Sequence, residues 1–201
     1  MTVSSQKSKL ISIGVDVGSV NGAISIVDED LNILLLTKAP TYQTEIKSRR
    51  NKSKLNKETN KFEKDFRKRN WVDFKKVGEL FEEYKDKDVI YTIERIITKP
   101  LEGENSSFAN GNALGVFQGM YALLKPEEYY EPLPQIWKAD MGVTSDKSTS
   151  VSLAEELYQV NLKDYVVKGK VDDIAEALLL SFYGLRQHYI TKGEINGRKE
   201  R

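Results

Sequence analysis

Residues 10–16 read Leu, Ile, Ser, Ile, Gly, Val, Asp, and Val17, Gly18 and Ser19 follow. A β-branched run of this kind favours a strand. Gly18 and Ser19 then turn the chain, so Asp16 stands at a strand tip. Strand side chains alternate between faces. Asp16 therefore shares a face with Ser12 and Gly14, while Ile11, Ile13 and Val15 point the other way. The small residues beneath Asp16 leave room for a helix, or a metal, above it.

Two later stretches match this strand in kind. Val89 to Ile93 forms a second apolar run that ends in Glu94. Asp172, Asp173 and Glu176 open an apolar helical run that continues through Phe182. Asp173 and Glu176 are spaced i,i+3, and Asp172 and Glu176 i,i+4, so either pair lies on one helical face. Spacing alone does not choose between Asp172 and Asp173. An unpaired carboxylate is costly to bury, so these acids require a cation or hydrogen-bond donors. Hard oxygen ligands of this kind suit Mg²⁺ or Mn²⁺. Two such ions, roughly 3.5–4 Å apart, would clamp an in-line displacement at phosphorus.

The chain of 201 residues is long enough for one domain with an insertion. We expect a single domain over residues 1–190, with a basic insertion at about 40–70 and a polar tail over 191–201. Strands are expected over 10–16, 22–28 and 31–37, as an antiparallel meander. Residues 40–70 lack apolar periodicity and read as a mobile loop or a helical arm that orders on binding. Trp71, Phe74, Val77, Phe81 and Tyr84 fall at helical spacing as a core stripe. A fourth strand covers 89–93, and 98–112 reads as a loop rich in Gly, Asn and Ser. A helix follows over 113–124, with Gly115 and Gly119 one turn apart for close packing. Residues 129–133 read as a short fifth strand, and helices are expected over about 147–160 and 171–189. This order predicts an α/β fold. Its mixed five-stranded sheet has three antiparallel strands first, then alternating helices and strands, with helices on both faces. The first strand lies centrally and the fourth beside it, which makes Asp16 and Glu94 neighbours.

Net charge is only +1, yet Lys and Arg crowd residues 47–69, opposed there by Glu58, Glu63 and Asp65 alone. Phosphate contacts from such a segment supply affinity but little sequence information. The chain has no cysteine, which excludes disulfides and thiol nucleophiles, and its one histidine, His188, makes a Ser-His-Asp triad improbable. His188 reads as a packed or partly exposed helix residue rather than a ligand. Trp71 and Trp137 read as core residues ahead of base-stacking platforms. No apolar run is long enough to span a bilayer, and a soluble protein is expected.

With these residues assembled, the chain resembles the RuvC-like Holliday-junction resolvases of the RNase H-like superfamily, phage or viral members above all. The resemblance runs from Leu10 to about Tyr183. It rests on Gly14, Asp16 and Gly18; on Glu94; on Pro134, Trp137 and Lys138; on Ser145 and Lys147; and on Asp172, Asp173, Glu176 and Leu178. It implies an RNase H-like fold and a metal-dependent crossover-junction endodeoxyribonuclease. Such an enzyme nicks opposing strands of a four-way junction as a homodimer with two Mg²⁺ per site, Mn²⁺ substituting. It further implies Asp16, Glu94, Asp173 and Glu176 as metal ligands, Asp172 substituting or assisting, and Lys138 and Lys147 near the scissile phosphate. The family usually carries Asp where this chain has Glu176. DNA contacts are expected from Arg49, Arg50, Lys52, Lys54, Arg67, Lys68, Arg69, Lys138 and Lys147. A cytoplasmic location follows, in the bacterial host if the chain is phage-encoded. Bacterial members place an aromatic wedge after the fourth-strand acid. Arg95, Ile96 and Ile97 stand there instead; Phe108 and Tyr121 are candidate substitutes, with Tyr121 read as core ahead of that role.

Other readings are a nuclease for other branched DNA or RNA–DNA hybrids, and a non-catalytic nucleic-acid-binding module on the same scaffold. Asp16, Gly18 and Ser19 also resemble the phosphate hairpin of sugar kinases and actin-like ATPases, but the second hairpin and the adenosine segment those folds need are missing from the sequence.

Overall fold

The structure is a computed structural model and describes residues 9–47, 54–56, 61–63, 66–97, 103–166 and 171–195. Strands β1 (Ile11–Asp16), β2 (Ala23–Asp28) and β3 (Ile33–Lys38) form the antiparallel meander. β8 (Val89–Ile93) pairs parallel with β1, and β9 (Glu128–Tyr130) pairs parallel with β8. The sheet order is β3-β2-β1-β8-β9, so the first strand is central.

Alternation along β1 sorts its side chains between two apolar layers. Ile11, Ile13 and Val15 join Tyr91, Phe81 and Phe117 in one layer. It is closed by α1 (Phe74–Phe81) and α2 (Glu104–Leu124). The other layer holds Ile90, Trp137, Leu178 and Leu179. It is closed by α3 (Pro134–Met141), α4 (Lys147–Tyr158) and α5 (Val171–Thr191). Helices therefore cover both faces, as the sequence predicts.

Helix α5 lies unusually close to the sheet, and small side chains are the reason. A Cβ on Gly14 would sit 2.3 Å from the Ala177 carbonyl oxygen and 2.3 Å from the Ser181 nitrogen. Only glycine permits that approach. Beside it, Ser25 Oγ donates to the Ala177 carbonyl at 2.7 Å and Ser12 Oγ to the Ser181 carbonyl at 2.8 Å. These buried hydroxyls are thus satisfied by the helix backbone they support.

Several expectations are corrected. The described part of residues 40–70 is an antiparallel ribbon, not a helical arm or a loop. Its stem pairs β4 (Thr41–Lys47) with β7 (Phe66–Val72), from Thr41↔Val72 to Lys47↔Phe66. Further out, β5 (Lys54–Asn56) pairs with β6 (Lys61–Glu63). The Trp71 indole N–H donates across the stem to Thr44 Oγ1 at 2.8 Å, which fixes the register. Trp71 consequently belongs to a strand, not to the helical stripe. Asp73 caps α1 by accepting from the Lys76 backbone N–H at 3.2 Å. Phe74, just after the cap, points outward and is 63% exposed.

Residues 104–112, expected as loop, form the first turns of α2. Gly115 and Gly119 on that helix meet nothing within 4 Å, so they do not mediate close packing. Residues 134–141 form α3, with Pro134 in its first turn, where a missing N–H costs nothing. α5 extends through Thr191, into the segment expected as tail. No helix among the described residues is long and apolar enough to cross a membrane.

Candidate active site

The parallel pairing of β1 with β8 sets the site. The Glu94 backbone N–H donates to the Val15 carbonyl at 2.9 Å, so Glu94 emerges directly beside Asp16. The contact of Gly14 with Ala177 then lowers the first turns of α5 onto the same strand ends, and Glu176 precedes Ala177. As a result one carboxylate oxygen from each of Asp16, Glu94 and Glu176 lies within 4.8 Å of the other two. Two strand tips and one helix turn, 160 positions apart in sequence at the extreme, converge on one point.

Crowding and burial raise the proton affinity of Asp16 and Glu94. Burial pushes the Asp16 carboxyl well above its ordinary range, and the charges of Glu94, Glu176 and Asp173 push it further, against the pull of Lys138. Among the described residues no donor bonds Asp16. Glu94 is likewise raised, first by burial and then by Glu176. The Trp137 indole and the Lys138 charge act the other way. Trp137 is fully buried on α3, as expected of a core residue, but its Nε1–H also donates to Glu94 Oε1 at 2.9 Å. That role in holding an acid was not anticipated.

Lysines ring the cluster. Lys138 Nζ stands 2.8 Å from Glu176 Oε1 and 5.1 Å from the centre of the Trp137 ring. Lys147, at the first position of α4, pairs with Asp172, and that contact raises its own pKa. Asp146 positions it by capping α4 through the Ser148 N–H at 3.0 Å. Lys38, at the end of β3, pairs with Asp173. Its part was not foreseen in the sequence, where it only closes a strand. Asp172 and Asp173 are thus both nearly buried and both lysine-paired, and neither joins the three-acid group.

Of the basic residues named from sequence, Arg49, Arg50 and Lys52 lie outside the described residues. Lys54 and Arg67 stand on β5 and β7. Lys68 and Arg69, also on β7, border a groove beside the turn that follows Asp16. His188 lies buried near the far end of α5, its Nδ1 2.7 Å from Glu128 Oε1, away from the cluster. Phe108 and Tyr121 are 62% and 48% exposed on α2.

The sequence matches no family model and no curated protein. Solved structures do match its backbone. RuvC from T. thermophilus, solved in complex with Holliday junction substrate, superposes with a TM-score of 0.54 over 91% of this chain and 96% of its own, at 12% identity. The fold is that of RuvC. A second Thermus thermophilus RuvC structure gives a TM-score of 0.50 at 10% identity, again over 91% and 96% of the two chains. The yeast mitochondrial Holliday junction resolvase Ydc2 gives 0.51 at 13% identity, over 95% of this chain and 88% of its own. The RuvC-like sheet therefore persists here where sequence identity has nearly vanished. The β4–β7 ribbon projects from it between β3 and α1 in chain order.

Proposed function

We propose that this chain is a divalent-metal-dependent DNA endonuclease that cuts four-way junctions by paired phosphodiester hydrolysis, acting as a homodimer. The observation that carries the reading is the convergence of Asp16, Glu94 and Glu176 within 4.8 Å at adjoining strand tips of a RuvC-like fold. Mutual repulsion of three partly buried acids is a poor arrangement for stability and a good one for capturing a cation.

The donor set fits Mg²⁺ or Mn²⁺. All three groups are hard carboxylate oxygens, and no cysteine is available to favour a softer metal. Asp16, Glu94 and Glu176 would hold one ion, and Asp173, adjacent to Asp16 in charge, is the further acid for a second. Bound divalent ions supply an activated water and stabilise the leaving 3′ oxygen.

The protein's own groups carry the remaining tasks. Trp137 holds the orientation of Glu94 through its N–H, as second-layer hydrogen bonds do around metal ligands. Lys138, paired with Glu176 of the cluster, and Lys147, paired with the adjoining Asp172, bring ammonium groups that would neutralise charge developing on a phosphate. In RuvC of T. thermophilus the same fold is seen with junction DNA, which supports a branched substrate for this chain.

The deciding experiment is cleavage of an end-labelled synthetic four-way junction with Mg²⁺, Mn²⁺ or EDTA, with flap, RNA–DNA hybrid and linear duplex as comparators. Symmetric nicks on opposing strands, dependent on metal and favouring the junction, are expected. Junction binding with no nick under either metal would replace this reading with a non-catalytic binding module. Equal cutting of all substrates would leave a nuclease without junction selectivity.

A further inference from the structure

The carboxylate cluster has a neighbour of opposite character. A groove of about 650 Å³ begins at residues 17–21, immediately after Asp16. Lys68, Arg69 and Asn70 of the ribbon form one bank, and Asn105 and Asn110 of α2 the other. No acid lines it. Three segments distant in sequence are locked together around it. Ser19 Oγ donates to Asn110 Oδ1 at 3.1 Å, and the Arg69 guanidinium donates to Asn105 Oδ1 at 2.5 Å. Arg69 also lies 5.3 Å above the centre of the Trp71 ring, which is backed edge-on by Phe108 at 5.9 Å.

These bonds determine what the groove offers. The amide oxygen of Asn70 accepts from Gln43 Nε2 at 2.9 Å, and that of Asn105 from Arg69. An asparagine whose oxygen is engaged has N–H donors left to give. The groove thus presents two cations and amide N–H groups, a surface for an anion rich in acceptors. A nucleic-acid strand has that chemistry, with phosphates for the cations and base edges for the amides. Cavities of roughly 300–1,000 Å³ enclose a ligand of nucleotide size, far less than a duplex.

We infer that this groove seats an unpaired nucleotide of the cut strand, next to the scissile phosphate. Its phosphate lies on Lys68 and Arg69, and its base edge faces Asn70 and Asn105. The inference rests on the nuclease reading above and assigns that reading a specificity determinant. One bank of the groove comes from the ribbon, so the ribbon acts in placing the cut as well as in general attraction to DNA.

The test is a base-deletion scan with the full chain. A series of four-way junctions, each with one abasic nucleotide near the cut, is cleaved under single-turnover conditions. The wild type should slow roughly tenfold at one position flanking the cut, the size of one good base contact. The double variant Asn70→Ala, Asn105→Ala should cut the intact junction more slowly and lose nothing further at that position. A flat wild-type scan would overturn the inference without any variant, and so would a folded double variant that keeps the wild-type sensitivity. Should the wild type cut no junction, the nuclease reading falls. The same scan, read as binding affinity, then decides the groove by itself.

Discussion

The two ends of β1 and β2 treat aspartate in opposite ways. At one end, Asp16 sits among Glu94, Glu176 and Asp173, and its pKa is driven up. At the other, Asp28 closes the β2–β3 turn. Its Oδ1 accepts the backbone N–H groups of Asp30 at 3.0 Å and Asn32 at 2.9 Å, and Asn32 Nδ2 and Lys9 Nζ approach Oδ2 at 2.9 and 3.3 Å. Burial pushes the Asp28 pKa up, but the Asn32 bonds and Lys9 outweigh it and hold the carboxyl below its usual range. Both residues end a strand in the same sheet. What separates the two acids is the supply of donors: Asp28 is saturated with them, and Asp16 is surrounded by its own kind.

The largest effect should come from removing the acid proposed to act in cleavage. Asp16→Asn should lower junction cleavage by at least about a hundredfold, since disturbing even second-layer partners of a metal costs about 10–100-fold. Junction binding should persist in gel-shift assays. Cleavage near the wild-type rate would erase the distinction between the two ends.

Trp137→Phe keeps an aromatic ring in the core and removes only the N–H that reaches Glu94. Half-maximal cleavage should then require about 10–100-fold more Mg²⁺, measured by metal titration at saturating junction. An unchanged midpoint would show that Glu94 needs no such support.

The structural acid should behave in the reverse sense. Asp28→Asn should cost about 1–3 kcal/mol of stability in urea unfolding at pH 7, the scale for charge-assisted bonds to buried groups, with little change in cleavage. The Lys9 contact contributes little to that figure, because the lysine is largely exposed.

The smallest effect is also the most diagnostic, because its sign differs between the ends. Asp16 and Glu94 have folded values above their unfolded ones, so the unfolded chain releases those protons first. Without metal, their contribution to stability falls as pH rises from the ordinary carboxylate range through the raised folded values. For Asp28 the folded value is lowered. Its stabilisation is present above the ordinary aspartate value and is lost as pH falls through the folded one. Asp16→Asn should therefore raise the melting temperature of the metal-free protein at pH 7, by about 2–4 °C for each kcal/mol recovered. Mg²⁺ should raise the wild-type melting temperature more than the variant's. A fall in melting temperature on Asp16→Asn would mean that the charge is satisfied after all.

The sequence announced much of this site. Asp16, Glu94 and Glu176 were legible because each ends a strand or opens a helix, where local pattern fixes the position. Glycine and serine beneath Asp16 announced the closeness of α5 for the same reason. The ribbon was not legible. Tyr42, Thr44 and Ile46 do alternate as strand residues should, but the density of lysine and arginine beyond them obscured the period. The start of α2 was hidden by its Gly, Asn and Ser content, which favours turns when tertiary packing is left out. Lys38 and the bond from Trp137 to Glu94 have no local signature. Each depends on where a separate element docks, which no spacing along the chain encodes.

Gly14 makes the contact between β1 and α5 one of backbone against backbone, with Ala177 and Ser181 on the helix side. No flexible side chain lies between them to absorb a displacement, so any lift of the helix is transmitted undiminished to Glu176. The affinity of the proposed site for a cation would therefore gauge how firmly α5 is seated. It would register loosening of that helix by heat, denaturant or mutation while the rest of the sheet still holds.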